Sequence, residues 1–334
     1  MVRGGFTLPE EETVSPFRAA LLIALASLLA VSTTRSEEHA YISAEASGMV
    51  SIADTHSDTV TSTFDVGAEA LGMAASVDGA RLYIAQQTGT FERDLFTNKS
   101  VRIADAAKAL RSSPDGKLLA VVIGAGDAVA LIDMPTLRTL KTISMHGRKN
   151  DRIAFSPDGR WLYAFADDGD RVDVIEVARA VLLKSINVGR GPRAIAFLPD
   201  GTRAYVSLAR SNEMVVIDVA RHAVIARVRS TKTLGDVAAH PDGTRVFVTA
   251  PGAGSVQVLH TKSNRFVANV DVGASPSTTA FAAGGGKLYV ACCHANEVSV
   301  IDTSTYQRLR SISVGGSPSG IVISDRPVLP RDGD

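Results

Sequence analysis

Short apolar stretches, broken by glycine, proline, asparagine and aspartate, recur along the chain from residue 40 onward. The segment 193–228 illustrates the pattern, because β-branched and other apolar residues fill 193–197, 204–208, 214–218 and 223–228. Pro199, Asp200 and Gly201 separate the first two stretches, and a glycine that accepts positive φ favours a tight turn. No stretch after Val31 keeps a 3.6-residue apolar period. The pattern predicts β-hairpins with little helix.

Four such strands make one unit, and the unit recurs seven times in fixed phase. An aromatic column has spacings of 42, 37, 43, 42, 42 and 42 residues: Tyr41, Tyr83, Ala120, Tyr163, Tyr205, Phe247 and Tyr289. Thirteen residues later comes a mostly acidic column: Asp54, Asp133, Glu176, Asp218, His260 and Asp302, with Asp94 two residues early in the second unit. We expect these carboxylates to accept backbone N–H bonds in turns. Four-stranded units of this length are typical of propeller blades.

The two ends of the repeat region complement each other. The chain enters the repeat at the second strand of a unit, near Tyr41, and residues 316–324 match the first strand of the other units. We therefore predict an all-β fold: a seven-bladed β-propeller with four antiparallel strands per blade, closed by the C-terminal strand joining the N-terminal blade. Closure removes two exposed sheet edges. The predicted boundaries are a signal peptide over 1–32, a short leader over 33–39, the propeller over 40–328 and a C-terminal tail over 329–334.

The N-terminal region predicts export. Residues 19–31 read AALLIALASLLAV, Arg18 precedes them, and Ala30 and Ser32 give a small-residue cleavage site. An uncleaved membrane anchor is the alternative, but thirteen residues are too few to span a hydrocarbon core of about 30 Å as a helix. We therefore expect a periplasmic or secreted protein with no transmembrane span after cleavage.

The repeat resembles the YVTN-type β-propeller family of secreted and surface proteins over residues 40–325. The residues that carry the resemblance are Tyr289-Val290-Ala291, the stretch VSVIDT at 298–303 and the stretch VGGSPSGI at 314–321. The resemblance implies the propeller fold and an extracytoplasmic location. It does not select a ligand, since one propeller scaffold hosts many roles. Propellers of similar sequence serve as haem-d1-binding or quinoprotein-associated subunits, and others open lactone rings.

Composition narrows the function classes. The chain has 35 Lys+Arg and 35 Asp+Glu, so its formal net charge is zero, and there is no electrostatic support for a nucleic-acid partner. The sequence has no Gly-x-Ser-x-Gly elbow, no His-Glu-x-x-His and no phosphate loop. We therefore expect a monomer that binds without catalysing, and the sequence identifies no cofactor.

The first strand of a blade is innermost in a propeller, so its start borders the mouth of the central channel. On that side lie the variable links between units, where function is normally placed. The candidate ligand-binding residues there are Lys108, His146, Arg148, Arg152, Arg193, Asp236 and His294. The excess of basic groups would suit a small polar or anionic ligand. The alternative is a solvated rim whose charges pair with one another.

Cys292 and Cys293, followed by His294, are the only cysteines in the chain. Three interpretations stay open: a strained disulfide between adjacent residues, contact with a soft metal or cofactor, or small apolar side chains at a strand end. Covalent c-type haem is excluded, because there is no Cys-x-x-Cys-His. The sequence assigns no metal site.

Three functions fit these observations. The first is an exported binding propeller whose variable loop face holds a partner protein or a small polar ligand. The second is a redox-associated propeller in which Cys292, Cys293, His294 and His146 face a haem-d1-like or quinoprotein-like cofactor. The third is a lactonase-like hydrolase.

Overall fold

Seven four-stranded antiparallel sheets follow one another along the chain in a computed structural model, which describes residues 1, 36–44, 47–145 and 150–327. The predicted signal peptide and C-terminal tail lie outside the described residues. Within the described residues, helix is limited to three single 3-10 turns: Pro251–Ala253, Ala283–Gly285 and Cys293–Ala295. No helix among them has the length and apolar character needed to cross a membrane.

The blades are numbered in chain order. Blade 1 contains β1 (Ser36–Ala44), β2 (Met49–Asp54), β3 (Thr59–Asp65) and β28 (Pro318–Pro327). Blade 2 contains β4 (Gly72–Ala75), β5 (Arg81–Gln86), β6 (Gly89–Asp94) and β7 (Ser100–Ala104). Blade 3 contains β8 (Ala107–Ser112), β9 (Leu118–Ile123), β10 (Ala128–Asp133) and β11 (Arg138–Ser144). Blade 4 contains β12 (Arg152–Phe155), β13 (Trp161–Phe165), β14 (Arg171–Glu176) and β15 (Val181–Asn187).

The remaining three blades repeat the order. Blade 5 contains β16 (Pro192–Phe197), β17 (Arg203–Leu208), β18 (Glu213–Asp218) and β19 (Ala223–Arg229). Blade 6 contains β20 (Val237–Ala239), β21 (Arg245–Ala250), β22 (Ser255–His260) and β23 (Arg265–Asp271). Blade 7 contains β24 (Pro276–Ala282), β25 (Lys287–Cys292), β26 (Glu297–Asp302) and β27 (Gln307–Ser313).

The C-terminal strand closes the ring, as the sequence predicted. β28 pairs antiparallel with β1, which places Ile323 opposite Ala40 and Val322 opposite Tyr41, and the sheet order is β28-β1-β2-β3. β1 begins at Ser36, inside the segment expected to be a leader, so the N-terminal strand is longer than the repeat pattern alone indicated. The closing strand also packs against blade 7, where Ile321 joins a buried cluster with Tyr289.

The core lies between neighbouring blades and is built from the middle strands. The side chains of the aromatic column are fully buried: Tyr41, Tyr83, Tyr163, Tyr205, Phe247 and Tyr289. Three of these tyrosines also form a hydrogen bond to the next blade. The partner in each case is a residue of positive φ in the turn between that blade's third and fourth strands. The Tyr163 hydroxyl lies 2.8 Å from His222 Nδ1, Tyr205 donates to Asn264 Oδ1 at 3.0 Å, and Tyr289 donates to Asp58 Oδ1. Polar contacts therefore join these blades beyond their apolar packing.

The acidic column makes turns, which confirms the sequence interpretation. The five aspartates of the column each accept a backbone N–H three residues ahead: Asp54 from Ser57 at 2.6 Å, Asp94 from Thr97 at 2.7 Å, Asp133 from Thr136 at 3.0 Å, Asp218 from Arg221 at 2.9 Å and Asp302 from Thr305 at 2.8 Å. These carboxylates fix the turn between the third and fourth strands.

Candidate functional site

The first strands of all seven blades surround a central channel of about 630 Å³. Its wall includes residues from β4, β8, β12, β16, β20, β24 and β28, as expected for innermost strands. Most wall positions are small, so the few charged side chains decide the chemistry of the channel. They are Arg111, Arg152, Asp236 and, at the opposite end, Asp325.

A smaller hollow of about 120 Å³ lies where the first strands of blades 3, 4 and 5 begin. Four of the predicted ligand-binding residues line it together: Lys108, Arg152, Arg193 and Asp236. Two further charged residues, Arg111 and Asp151, line the same hollow. Topology thus brings charges from four blades to one place, which we call the channel mouth. Of the remaining candidates, His146 and Arg148 lie outside the described residues.

Asp167, in the link after β13, holds both arginines of the channel mouth. Arg152 approaches it with Nε at 3.0 Å from Oδ1 and Nη2 at 3.3 Å from Oδ2. Arg193 donates Nη1 to Oδ2 of the same carboxylate. Burial acts to lower the pKa of Arg152, but the hydrogen bond and the charge of Asp167 outweigh it and raise this pKa. The two arginines are therefore held in fixed positions, and both already have a carboxylate partner.

Two more aspartates at the mouth are poorly solvated. Asp236 Oδ2 accepts two hydrogen bonds from Thr279, from N and from Oγ1, both at 2.8 Å. Burial nevertheless raises the pKa of Asp236. Burial and the nearby charge of Asp167 also raise the pKa of Asp151, whose Oδ1 is buried and has no hydrogen-bond partner among the described residues. Both carboxylates therefore favour the neutral form more than a solvated aspartate does.

Arg111, on β8, is the site residue that sequence reasoning missed. Its Nη1 donates to the Leu110 backbone oxygen at 2.8 Å, and within the described ranges no carboxylate oxygen comes within 4.0 Å of its guanidinium. Desolvation by the protein around the channel lowers the pKa of Arg111. The charge of Arg152 lowers this pKa further, and the charge of Asp236 opposes the shift. Arg111 is thus a solvent-accessible cation on the channel wall, and it has no salt-bridge partner among the described residues.

The repeat carried a signal for Arg111. Its six equivalents face the aromatic column across the sheet and are small apolar residues: Ala74, Ala154, Ala196, Ala238, Ala280 and Val322. In blade 3 the opposed residue is Ala120, where the other blades have tyrosine or phenylalanine. Directly opposed side chains share one face of a sheet. A large cationic side chain therefore coincides with the loss of a large aromatic one.

The cysteine segment does not line the channel mouth. Cys292 is buried, its Sγ lies 3.7 Å from Ser299 Oγ, and burial raises the pKa of this thiol. The Cys293 thiol donates to the Pro318 backbone oxygen at 3.0 Å, while His294 is exposed. Both thiols are free in this structure. The two side chains have separate partners, and the segment closes a strand end beside β28.

The sequence matches the profile of the YNCE-like beta-propeller family over residues 75–329, which is most of the chain. The protein therefore belongs to this family of YVTN-type propellers, as the sequence predicted. No curated protein sequence matches the chain.

Solved structures share the fold at low sequence identity. Hydrazine synthase of Kuenenia stuttgartiensis has a TM-score of 0.72 at 21% identity, covering 79% of this chain and 92% of that one. The periplasmic gluconolactonase PpgL of Pseudomonas aeruginosa has a TM-score of 0.69 at 19% identity, covering 86% and 99%. The dihydro-heme d1 dehydrogenase NirN has a TM-score of 0.66 at 15% identity, covering 85% and 74%. At these identities the similarity is one of fold.

Proposed function

We propose that this protein is a binding propeller that holds a small anionic molecule in its central channel, at the mouth formed by blades 3 to 6. The observation that carries the proposal is Arg111, whose solvent-accessible guanidinium lines the channel. It has no carboxylate partner among the described residues and stands where six other blades have alanine or valine. A guanidinium is a planar donor that matches carboxylate and phosphate groups. An anionic ligand would supply the missing partner.

The charge count at the mouth supports an anion. Four basic residues, Lys108, Arg111, Arg152 and Arg193, face three acidic ones, Asp151, Asp167 and Asp236. With every group ionised the excess is one positive charge, and the raised pKa values of Asp151 and Asp236 can only increase it. Because Asp167 already holds Arg152 and Arg193, these two orient the site, and Arg111 and Lys108 are left to contact the ligand.

Replacing Arg111 by alanine is expected to weaken anion binding about ten- to a hundredfold, since a charge-assisted hydrogen bond contributes about 1.5–3 kcal/mol. The fold should be retained, because alanine is the residue that five other blades carry at this position. Titration calorimetry with inorganic phosphate and with gluconate would measure the effect. Gluconate is chosen because one structural relative is a gluconolactonase.

The matched control is Arg138→Ala, which removes an exposed arginine from the outer strand of the same blade. It should leave anion affinity unchanged. If neither probe binds the wild-type protein at millimolar concentration, or if Arg111→Ala binds as tightly as wild type, the channel-mouth assignment is wrong.

The other two functions have less support from the geometry. The redox hypothesis needs the cysteine segment to face a cofactor, whereas the Cys292 thiol is buried beside Ser299. The lactonase hypothesis expects histidine and glutamate beside arginine, and the described residues that line the mouth include neither. Incubating the protein with glucono-δ-lactone and following acid release would still separate binding from hydrolysis.

Export completes the proposal. The apolar run at 19–31 and the small residues after it predict cleavage close to residue 32. Mass spectrometry of the protein purified from its native host should give an N-terminus between about Ser32 and Ser36, where β1 begins. Recovery of a chain that retains Met1 from the soluble cytoplasmic fraction would contradict this prediction.

A further inference from the structure

Blade 1 brings an imidazole and two carboxylates together on one side of its sheet. Glu37 and His39 are two residues apart on β1, so their side chains share a face. His39 lies directly opposite Asp54 of β2 and therefore shares that face as well. One potential ligand atom from each of the three side chains lies within 4.8 Å of the other two.

The other blades do not repeat this set. Opposite the acidic column, where blade 1 has His39, they carry mostly basic or aromatic residues: Arg81, Leu118, Trp161, Arg203, Arg245 and Lys287. Two residues earlier, where blade 1 has Glu37, every other blade has the turn glycine: Gly79, Gly116, Gly159, Gly201, Gly243 and Gly285. Blade 1 has no such turn, because its first strand is the chain's last. Two of the three groups are therefore departures from the repeat.

The imidazole of His39 is oriented as metal-bound imidazoles usually are. Its side chain is buried, with 8% of the residue exposed, and Nδ1 lies 2.9 Å from the backbone oxygen of Glu37. A carbonyl oxygen only accepts, so Nδ1 carries a proton, and Nε2 is the nitrogen left to bind a metal ion. A histidine that binds a metal through one nitrogen typically donates the other to a carbonyl or carboxylate.

Asp54 can serve as an anionic ligand while it keeps its role in the turn. Its Oδ1 accepts from Ser57 N at 2.6 Å and from Ser57 Oγ at 2.7 Å, and no hydrogen bond to Oδ2 is found among the described residues. Burial acts to raise the pKa of Asp54, but the two hydrogen bonds from Ser57 outweigh it and lower this pKa. The carboxylate is therefore ionised at neutral pH.

We infer that Glu37, His39 and Asp54 form a binding site for a divalent transition-metal ion of the zinc type. Imidazole selects such ions over Mg²⁺ and Ca²⁺, which prefer all-oxygen sets. Donor atoms about 2.1 Å from one tetrahedral Zn²⁺ lie about 3.4 Å apart. The three ligand atoms lie within 4.8 Å of one another, so shifts of about an ångström would bring them to one ion. The site would join β1 to β2, and since it exists only in the folded blade, the ion would stabilise the native state.

The test is titration calorimetry of the metal-free full-length protein with Zn²⁺, and with Mg²⁺ as the comparison ion. We expect one equivalent of Zn²⁺ to bind and the unfolding temperature to rise with it. Glu37→Gln and His39→Gln should each weaken binding about tenfold or more, because each removes one of three ligands. Glu37 is exposed, so its replacement leaves the fold intact even if the variant of buried His39 does not fold.

Two matched controls separate the site from its surroundings. Asp302→Asn removes the same turn carboxylate from blade 7, where Lys287 lies opposite, and His56→Ala removes the exposed imidazole next to Asp54. Both should bind Zn²⁺ as the wild type does. Three results would overturn the inference: Zn²⁺ fails to bind at about 1 mM, which is the weak end of the affinity scale; Glu37→Gln binds Zn²⁺ as the wild type does; or Mg²⁺ binds as tightly as Zn²⁺.

Discussion

A chain that ends after Gly316 is expected to lose its cooperative fold and aggregate. This truncation removes β28 but leaves β27 complete, so every blade except the first keeps its four strands. β1 would keep its pairing with β2 but lose β28 along its whole length, from Ser36 opposite Pro327 to Ala44 opposite Pro318. An unpaired strand edge recruits other chains. The buried cluster that Ile321 shares with blade 7 would open as well, and a marginal stability of about 5–15 kcal/mol does not tolerate the loss of a whole strand.

Size-exclusion chromatography and thermal unfolding would measure this effect. The matched control ends after Pro327 and keeps β28, and it should behave as the full chain does. A synthetic peptide of residues 317–327 should partly restore a monomer to the truncated chain by strand addition. A truncated protein that stays monomeric and melts at the wild-type temperature would show that ring closure contributes little to stability.

The fold was predictable because each blade repeats one set of environments. A residue such as Tyr205 is buried between two blades, and the same burial recurs at its equivalents, so the pattern appears seven times in one sequence. Closure was predictable for a related reason. Residues 316–324 match the first strand of the other blades, and the N-terminal blade lacks a first strand of its own. The start of β1 at Ser36 was not predictable, because Ser36, Glu37 and Glu38 have no apolar pattern. They are part of the strand because they pair with β28.

The position of the candidate site was predictable from the sequence, but two of its important residues were missed. The phase of the repeat placed Lys108, Arg152, Arg193 and Asp236 on the innermost strands, and they do line one hollow. Asp167 was missed because it lies in a link that has no repeat column, and its pairing with Arg193 depends on how two blades meet. Arg111 could have been found, because it departs from a column of small residues.

Asp58 is expected to be the most important single side chain for holding blade 7 against blade 1. It is buried, and its carboxylate accepts both from Lys287 Nζ at 2.8 Å and from the Tyr289 hydroxyl across that interface. Asp58→Asn should fit the site, because Asn264 occupies the equivalent left-handed position of blade 6. The amide would remove the charge that compensates Lys287.

The expected cost of Asp58→Asn is about 3 kcal/mol, the lower end of what breaking a buried ion pair costs, since the Lys287 side chain is 22% exposed and Asp58 only 7%. For a chain of this length that corresponds to a fall of about 4 °C in unfolding temperature. A second change, Lys287→Met, should recover much of the loss, because an apolar side chain of similar length leaves no unpaired charge. Chemical denaturation of the two single variants and the double variant would give the coupling. If the double variant is as unstable as the sum of the single variants, Asp58 acts through its turn geometry and the charge across the interface is not what stabilises the closed ring.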